Sequence, residues 1–181
     1  MIDAKDFEAM RHEIEKQDSE REEIIIKSRE VLRLSKQLIY SVHRNDINDI
    51  LAGKLKKEAL KMKPMSGAYN DAMQEYAEAM CFYGLAKHKR LLTRNELKID
   101  AESYLRGLCD LTGELVRKAI NSSIKGDYKE AGNIREFVSE LYGELIKFNF
   151  RNGELRRKFD RVKYDLNKLE NLELDIKLRQ K

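Results

Sequence analysis

Apolar residues recur along this chain at spacings of three and four, with no stretch of strict alternation, so the pattern predicts helices throughout and no strand. The first predicted helix runs from about Asp3 to Val42. Its stripe of Ile24, Val31, Leu38 and Val42, with Ile25, Leu32 and Ile39 beside it, begins only after a mostly charged N-terminal half. A second helix from about Asn45 carries Ile47, Ile50, Leu51, Leu55, Ala59 and Met62. It stops near Lys63, because the residue before Pro64 avoids the helical region. A third runs from about Ser66 to Leu92. Thr93-Arg94-Asn95-Glu96 has the form of a capping box and opens a short fourth helix, and Asp100 caps a fifth that reaches about Ile124. Gly126-Asp127 supplies a stop and a fresh cap for a sixth, marked by Ile134, Phe137, Val138, Leu141, Tyr142, Leu145 and Phe148. Asn152-Gly153 breaks it. The seventh repeats Leu155, Phe159, Val162, Leu166, Leu169, Leu172 and Ile176 in the manner of a coiled-coil seam, over about 40 Å. No repeat or linker divides the chain, which reads as one all-α domain over residues 1–181, a seven-helix bundle.

Two of these helices contain acids where an apolar face is expected. From Glu75 to Ala86 the only strongly polar groups, tyrosine hydroxyls aside, are Glu75 and Glu78. The fifth helix carries Asp110 and Glu114. An i,i+3 pair and an i,i+4 pair each share one helical face, so two helices crossing here would converge four carboxylates. Unpaired acids in an apolar setting cost several kcal/mol each, so the arrangement is stable only with bound cations, basic partners or protons, and a hard divalent cation is the economical answer. Projected at 100° per residue, Tyr104, Leu105, Leu108, Leu111, Leu115, Ala119 and Ile120 form the core face of the fifth helix. Arg106, Asp110, Glu114 and Arg117 line another, flanked by Gly107 and Gly113. A helical glycine costs about 1 kcal/mol against alanine, a loss that is tolerable where a backbone or ligand comes close. The plainer alternative is a solvated ladder, Arg106 to Asp110 and Glu114 to Arg117, worth a few tenths of a kcal/mol per pair.

Composition narrows the classes. Charged residues make up 38% of the 181, there is one proline and no tryptophan, which is the composition of long helices. No run approaches the roughly 18 apolar residues of a membrane span, and the charged N-terminus lacks a signal-peptide core, so a cytoplasmic protein without membrane contact is expected. Cys81 and Cys109 have no metal-type spacing and read as core residues. His12, His43 and His88 lie in polar stretches, form no Glu-x-x-His motif of the di-iron bundles, and read as surface residues. The net charge of +4 permits an anionic partner without demanding one.

At its densest polar motifs the chain resembles a known family. Gln74-Glu75-Tyr76-Ala77-Glu78-Ala79, Tyr104 through Arg117, Asn121-Ser122 with Gly126-Asp127, and Arg157-Lys158-Phe159-Asp160 through Lys163-Tyr164-Asp165 together resemble the translin superfamily, more its nuclease subunit Trax than translin itself. The resemblance implies an all-α bundle of seven helices that assembles into a closed hollow octamer, with a Mg2+-dependent endoribonuclease centre facing the inside that cuts single-stranded RNA. It places the catalytic acids at Glu75, Glu78 and Asp110, and a further acid at Glu114 beside the metal. The segment after Arg157 is closer to translin, and the insertion that eukaryotic Trax carries before the fifth helix is absent. A self-sufficient homo-oligomer combining both roles is therefore expected, with an octamer favoured.

The chemistry agrees with the residues taken alone. Hydrolysing a phosphodiester near neutral pH needs an activated water and neutralisation of charge on the phosphate, and Mg2+ or Mn2+ held by carboxylates does both. Cations near the acids would grip RNA, or single-stranded DNA, without sequence preference. The candidates are Lys87, Lys89 and Arg90 at the end of the third helix, with Arg106 and Arg117 on the Asp110 face; a solvated helix end favouring the dipole explains the first three equally well. Tyr76 and Tyr83 read as core, and Arg156, Arg157 and Lys158 as solvent or subunit-contact residues. A binding scaffold with vestigial acids is the competing function.

Overall fold

Asp3 starts the first helix by accepting hydrogen bonds from the backbone of Lys5 and Asp6, amides that have no carbonyl partner at a helix start. The computed structural model describes residues 2–64 and 67–179. Its elements are α1 (Ala4–His43), α2 (Asp49–Ala59), α3 (Gly67–His88), α4 (Arg94–Leu97), α5 (Ala101–Ile124), α6 (Tyr128–Leu145) and α7 (Glu154–Arg179). The first half of α1 touches nothing: every residue from 4 to 23 is exposed, and burial begins at Ile24. An arm of about 30 Å at 1.5 Å per residue thus extends from the bundle, carrying Phe7, Met10 and Ile14 uncovered.

Within the bundle α3 lies between α1 and α5, and α5 in turn packs on α6 and α7. One continuous apolar cluster fills the space, with Tyr76, Phe82, Leu34, Leu38, Leu55 and Leu111 among its fully buried members. Gly107 brings α5 onto α3. A Cβ there would stand 2.6 Å from the Ala77 Cβ, 2.7 Å from the Gln74 carbonyl oxygen and 2.9 Å from the Glu78 amide nitrogen, distances that only a glycine permits. Gly113 has no such role, its nearest neighbour being Asp165 at 4.0 Å.

Helix boundaries differ from the sequence pattern where local polar chemistry outweighs periodicity. The second helix begins at Asp49, not Asn45, because the Asn48 side chain caps it through the Leu51 amide while Asn45 adopts a left-handed φ of 58°. Ile47 and Ile50 therefore fall outside the core stripe and are exposed. The third helix ends at His88, short of Leu92: Lys89 turns left-handed (φ 56°), Leu92 folds back onto Gly84, and Thr93 with Glu96 forms the expected capping box. The Ser66 start proposed for it lies outside the described residues. The sixth helix stops at Leu145, leaving Phe148 half exposed and stacked on Phe150. Ile120, assigned to the core face of the fifth helix, is exposed. Tyr76 and Tyr83 are buried, as are both cysteines. No helix among the described residues is long and apolar enough to cross a membrane.

Candidate active site

Because Gly107 seats α5 against the Gln74–Glu78 turn of α3, the acids that follow it along α5 lie beside the acids of α3. Glu75, Glu78, Glu114 and Arg117, with Lys36, Ile39 and Tyr40 of α1, line one concavity of about 300 Å3. Asp110 is not part of that lining; it lies one turn before Glu114 on α5, where Gln74 donates to it across 2.6 Å.

The two helices treat their carboxylates differently. Glu75 is pushed above the ordinary carboxylate range chiefly by burial, with Asp110 and Glu114 adding to the effect and Lys36 and Lys158 opposing it. Glu78 is 7% exposed and is pushed up to about 8, first by burial and then by Glu75, Asp110 and Glu114. Both shifts have the sign expected of crowded, poorly solvated acids. On α5, Glu114 accepts a hydrogen bond from Nε2 of His43 and lies 3.8 Å from Arg117. The His43 bond is the main reason that its pKa falls below the ordinary value despite burial. Asp110 accepts from the Lys158 ammonium through both oxygens, at 3.1 and 2.9 Å, and from Arg161 at 3.2 Å.

Several sequence expectations change here. His43 is not a surface residue: its side chain is 5% exposed, packs edge-on against Phe82 and holds Glu114. Lys158 is neither in solvent nor spare for another subunit, since it is bound to Asp110. Arg106 does not pair with Asp110 in a surface ladder; it bridges Glu102 at 2.6 Å and Glu154 at 2.8 Å. Lys87 is held by Asp49 at 2.6 Å and Arg90 by Glu96 at 2.7 Å, while Lys89 lines a separate cavity bordered by His43, Asn45 and Lys118. Of the five candidate RNA-gripping cations, Arg117 is the one that lines the acid concavity. Sequence reasoning missed Lys36, His43, Lys158 and Arg161. The last two flank Phe159 and Val162 of the α7 seam, but that placement alone does not say which of them turns toward an acid.

Four oxygen-rich side chains on facing helices suit a hard divalent ion, and the mutual repulsion that raises Glu78 is what such an ion relieves. The donor chemistry fits. The side chains are not grouped as a finished cage, because among the described residues no three His, Cys, Asp or Glu groups stand together in a metal-holding arrangement; Asp110 and Glu114 are occupied by Lys158, Arg161 and His43.

The Translin family model matches residues 19–180. The chain belongs to the Translin family. An uncharacterized protein of Methanocaldococcus jannaschii is 31% identical over 155 residues, 79% of this chain and 70% of that protein. Translin-associated protein X of Pongo abelii is 25% identical over 225 residues, 96% of this chain and 78% of that protein. The match to chicken Translin, 38% identical, covers 45% of this chain and 35% of that protein. Among solved structures, apo-NeC3PO superposes with a TM-score of 0.86 at 32% identity, and AfC3PO in complex with duplex RNA with 0.84 at 25%; each covers 96% of this chain and 97% of the other. The seven-helix all-α fold of the Translin family is thus the fold of this chain, and the resemblance to Translin-associated protein X runs along nearly its whole length.

Proposed function

We propose that this Translin-family protein is a divalent-cation-dependent endoribonuclease that cuts single-stranded RNA and works as a closed homo-oligomer, an octamer favoured. The observation that carries the reading is the Glu75/Glu78 pair on α3, Glu75 half-buried and Glu78 buried, with no hydrogen-bond partner among the described residues pulling either acid down and lining one concavity with Glu114. A fold with no use for these acids would gain stability by replacing them. In this reading Glu75, Glu78, Asp110 and Glu114 hold Mg2+ or Mn2+, with the first three as the catalytic acids. The ion supplies an activated water and neutralises charge growing on the phosphate.

The chain's own residues do the rest. Glu75 and Glu78, rigidly held by the buried face of α3, set where the scissile phosphate must lie. Lys36, whose charge acts on Glu75, and Arg117, 3.8 Å from Glu114, line the same concavity and offer contacts to the strand's phosphates. Contacts of this kind position a strand without reading its bases, so little sequence dependence is expected. A flexible single strand can turn one phosphodiester into a concavity of about 300 Å3; a duplex presents its phosphates at fixed spacing. AfC3PO was solved with duplex RNA, which makes RNA the first nucleic acid to try, in both forms, with single-stranded DNA as a binding control. Phe7, Met10 and Ile14 on the α1 arm, with Leu174 and Leu178 near the end of α7, are uncovered apolar positions that subunit contacts would bury.

The scaffold alternative keeps one specific point in its favour: Asp110 is already neutralised by two basic groups. Cleavage of end-labelled single-stranded RNA by the parent and by Glu78→Gln, each in Mg2+ and in EDTA, decides between them. Mg2+-dependent cleavage absent from Glu78→Gln supports the enzyme, and binding without cleavage in every condition supports the scaffold.

A further inference from the structure

Lys158 is the cation built most deeply into the acid cluster. Its side chain is 14% exposed, and its ammonium lies between the two oxygens of Asp110 at 3.1 and 2.9 Å. Its neighbour Phe159 and the following Val162 are buried in the α7 seam, so the backbone from which Lys158 reaches is anchored against α5. Its charge also acts on Glu75 and Glu78. Arg161 makes a single contact at 3.2 Å to the same carboxylate from a side chain that is 66% exposed, and solvent screens it accordingly. One turn back on α7, Glu154 lies 3.8 Å from the Lys158 ammonium and also holds Arg106 at 2.8 Å. A lysine on its flexible stem therefore has two acids in reach.

We infer that Lys158 is a tethered cation that competes with a divalent ion for the Asp110 carboxylate, so that an ion enters the site by displacing the ammonium toward Glu154. The inference rests on the reading that these acids take a divalent ion. It follows from occupancy: the oxygens that would ligate the ion are the oxygens that Lys158 contacts, and an ammonium and a divalent ion repel strongly at such separations where solvent is sparse. The device sets a threshold. The acids are kept partly neutralised without an ion, and the ion binds more weakly than four carboxylates alone would allow.

The test is Mn2+ binding, followed by the loss of the free-ion electron paramagnetic resonance signal, on the full-length parent, Lys158→Met, Glu154→Gln and a Glu75→Gln/Glu78→Gln double variant. Lys158→Met is expected to bind Mn2+ about tenfold more tightly, since a competing charge is gone, while unfolding more easily in EDTA because Asp110 has lost its main partner. Glu154→Gln removes the resting place of the displaced ammonium and is expected to bind about threefold more weakly. Opposite signs from two residues on one helix face are not what a merely structural role produces. Binding that depends on Glu75 and Glu78 in the parent but is equal or weaker in Lys158→Met overturns the competition and leaves the metal-site reading intact. No acid-dependent binding in either the parent or Lys158→Met overturns both. Should Lys158→Met not fold, Glu154→Gln carries the decision, and an affinity equal to the parent's sinks the inference.

Discussion

On α3, Glu75 and Glu78 meet burial and acidic neighbours first, with Lys36 and Lys158 opposing only by charge; on α5, Asp110 and Glu114 each have a basic partner in direct contact, brought from a distant part of the chain. The α5 partners come from α1 (His43) and α7 (Lys158, Arg161), so the three-dimensional packing, not the local sequence, determines which acids are given basic partners. Burial and acidic neighbours push Glu75 and Glu78 up, whereas the hydrogen bond from His43 holds Glu114 below the ordinary carboxylate range. A cation placed beside Glu75 and Glu78 would offset the burial and like-charge crowding that push both acids up, a use of perturbed pKa values that is typical of functional sites.

The largest expected effect removes the distinction altogether. If both pairs serve one ion, Glu75→Gln, Glu78→Gln and Asp110→Asn each lower RNA cleavage by at least about 100-fold, as expected when an electrostatic catalytic group is lost, and EDTA does the same to the parent. Undiminished cleavage in EDTA breaks the reading. Next in size is the contact that sets the two helices face to face. Gly107→Ala forces a methyl group into the Gln74 carbonyl and the Ala77 side chain, and overpacking of this kind costs about 1–3 kcal/mol or more. Chemical denaturation should show that loss, and the variant's cleavage should fall even at temperatures where it is folded, because the pairs are then no longer in register.

Much of the α3 half of the comparison was legible in the sequence. Two glutamates in an otherwise apolar run cannot escape burial when the run is the helix at the centre of the bundle, and Gly107 marked the close approach before any coordinates. The α5 partners were not legible for a definite physical reason. His43 lies at the end of a long helix among charged residues, and composition there says solvent; only the crossing of α1 over α3 and α5 turns it inward. Lys158 and Arg161 sit in a row of basic residues, Arg156 to Lys158 and Arg161, whose individual fates depend on the rotation of α7 about its seam. The helix ends failed for another reason: periodicity continues through Ile47, Ile50 and Leu92, whereas Asn48 begins a helix by side-chain capping and Lys89 ends one in a left-handed turn, devices that periodicity does not encode.

A stability measurement separates the pairs by sign. Glu78 has a folded pKa of about 8 against an ordinary value of 4.5, so whatever it contributes to stability is present below about 4.5 and is lost as pH rises through 8. In EDTA, Glu78→Gln should therefore match the parent near pH 4.5, gain on it as pH rises, and level off above 8 at an advantage of up to about 5 kcal/mol. Glu114 is depressed, so its contribution is present above the ordinary value and disappears as pH falls through the folded one. Glu114→Gln should be less stable than the parent at neutral pH by about 1 kcal/mol, the scale of one hydrogen bond to a buried group, with the deficit closing in acid. Thermal or urea melts across pH 4 to 9 read both. If the two variants move in the same direction at pH 8, the contrast between the helices is wrong.

The smallest effect concerns how the strand is held. Arg117 lines the concavity, 56% exposed and 3.8 Å from Glu114, so its ion pair contributes little to folding and its charge is free to meet a phosphate. Arg117→Ala should lower single-strand cleavage by a few-fold, leave the melting temperature within a degree or two, and flatten the fall of RNA affinity with salt by about one phosphate contact. Arg157, exposed on α7 and absent from the concavity, should do less to cleavage when replaced. The reading requires the same asymmetry in substrate: single strands cut faster than duplex of the same sequence at fixed salt, because an acid concavity between α1, α3 and α5 admits a backbone that bends. Equal rates on the two substrates, together with an Arg117→Ala protein as active as its parent, would place the strand on another surface of the bundle.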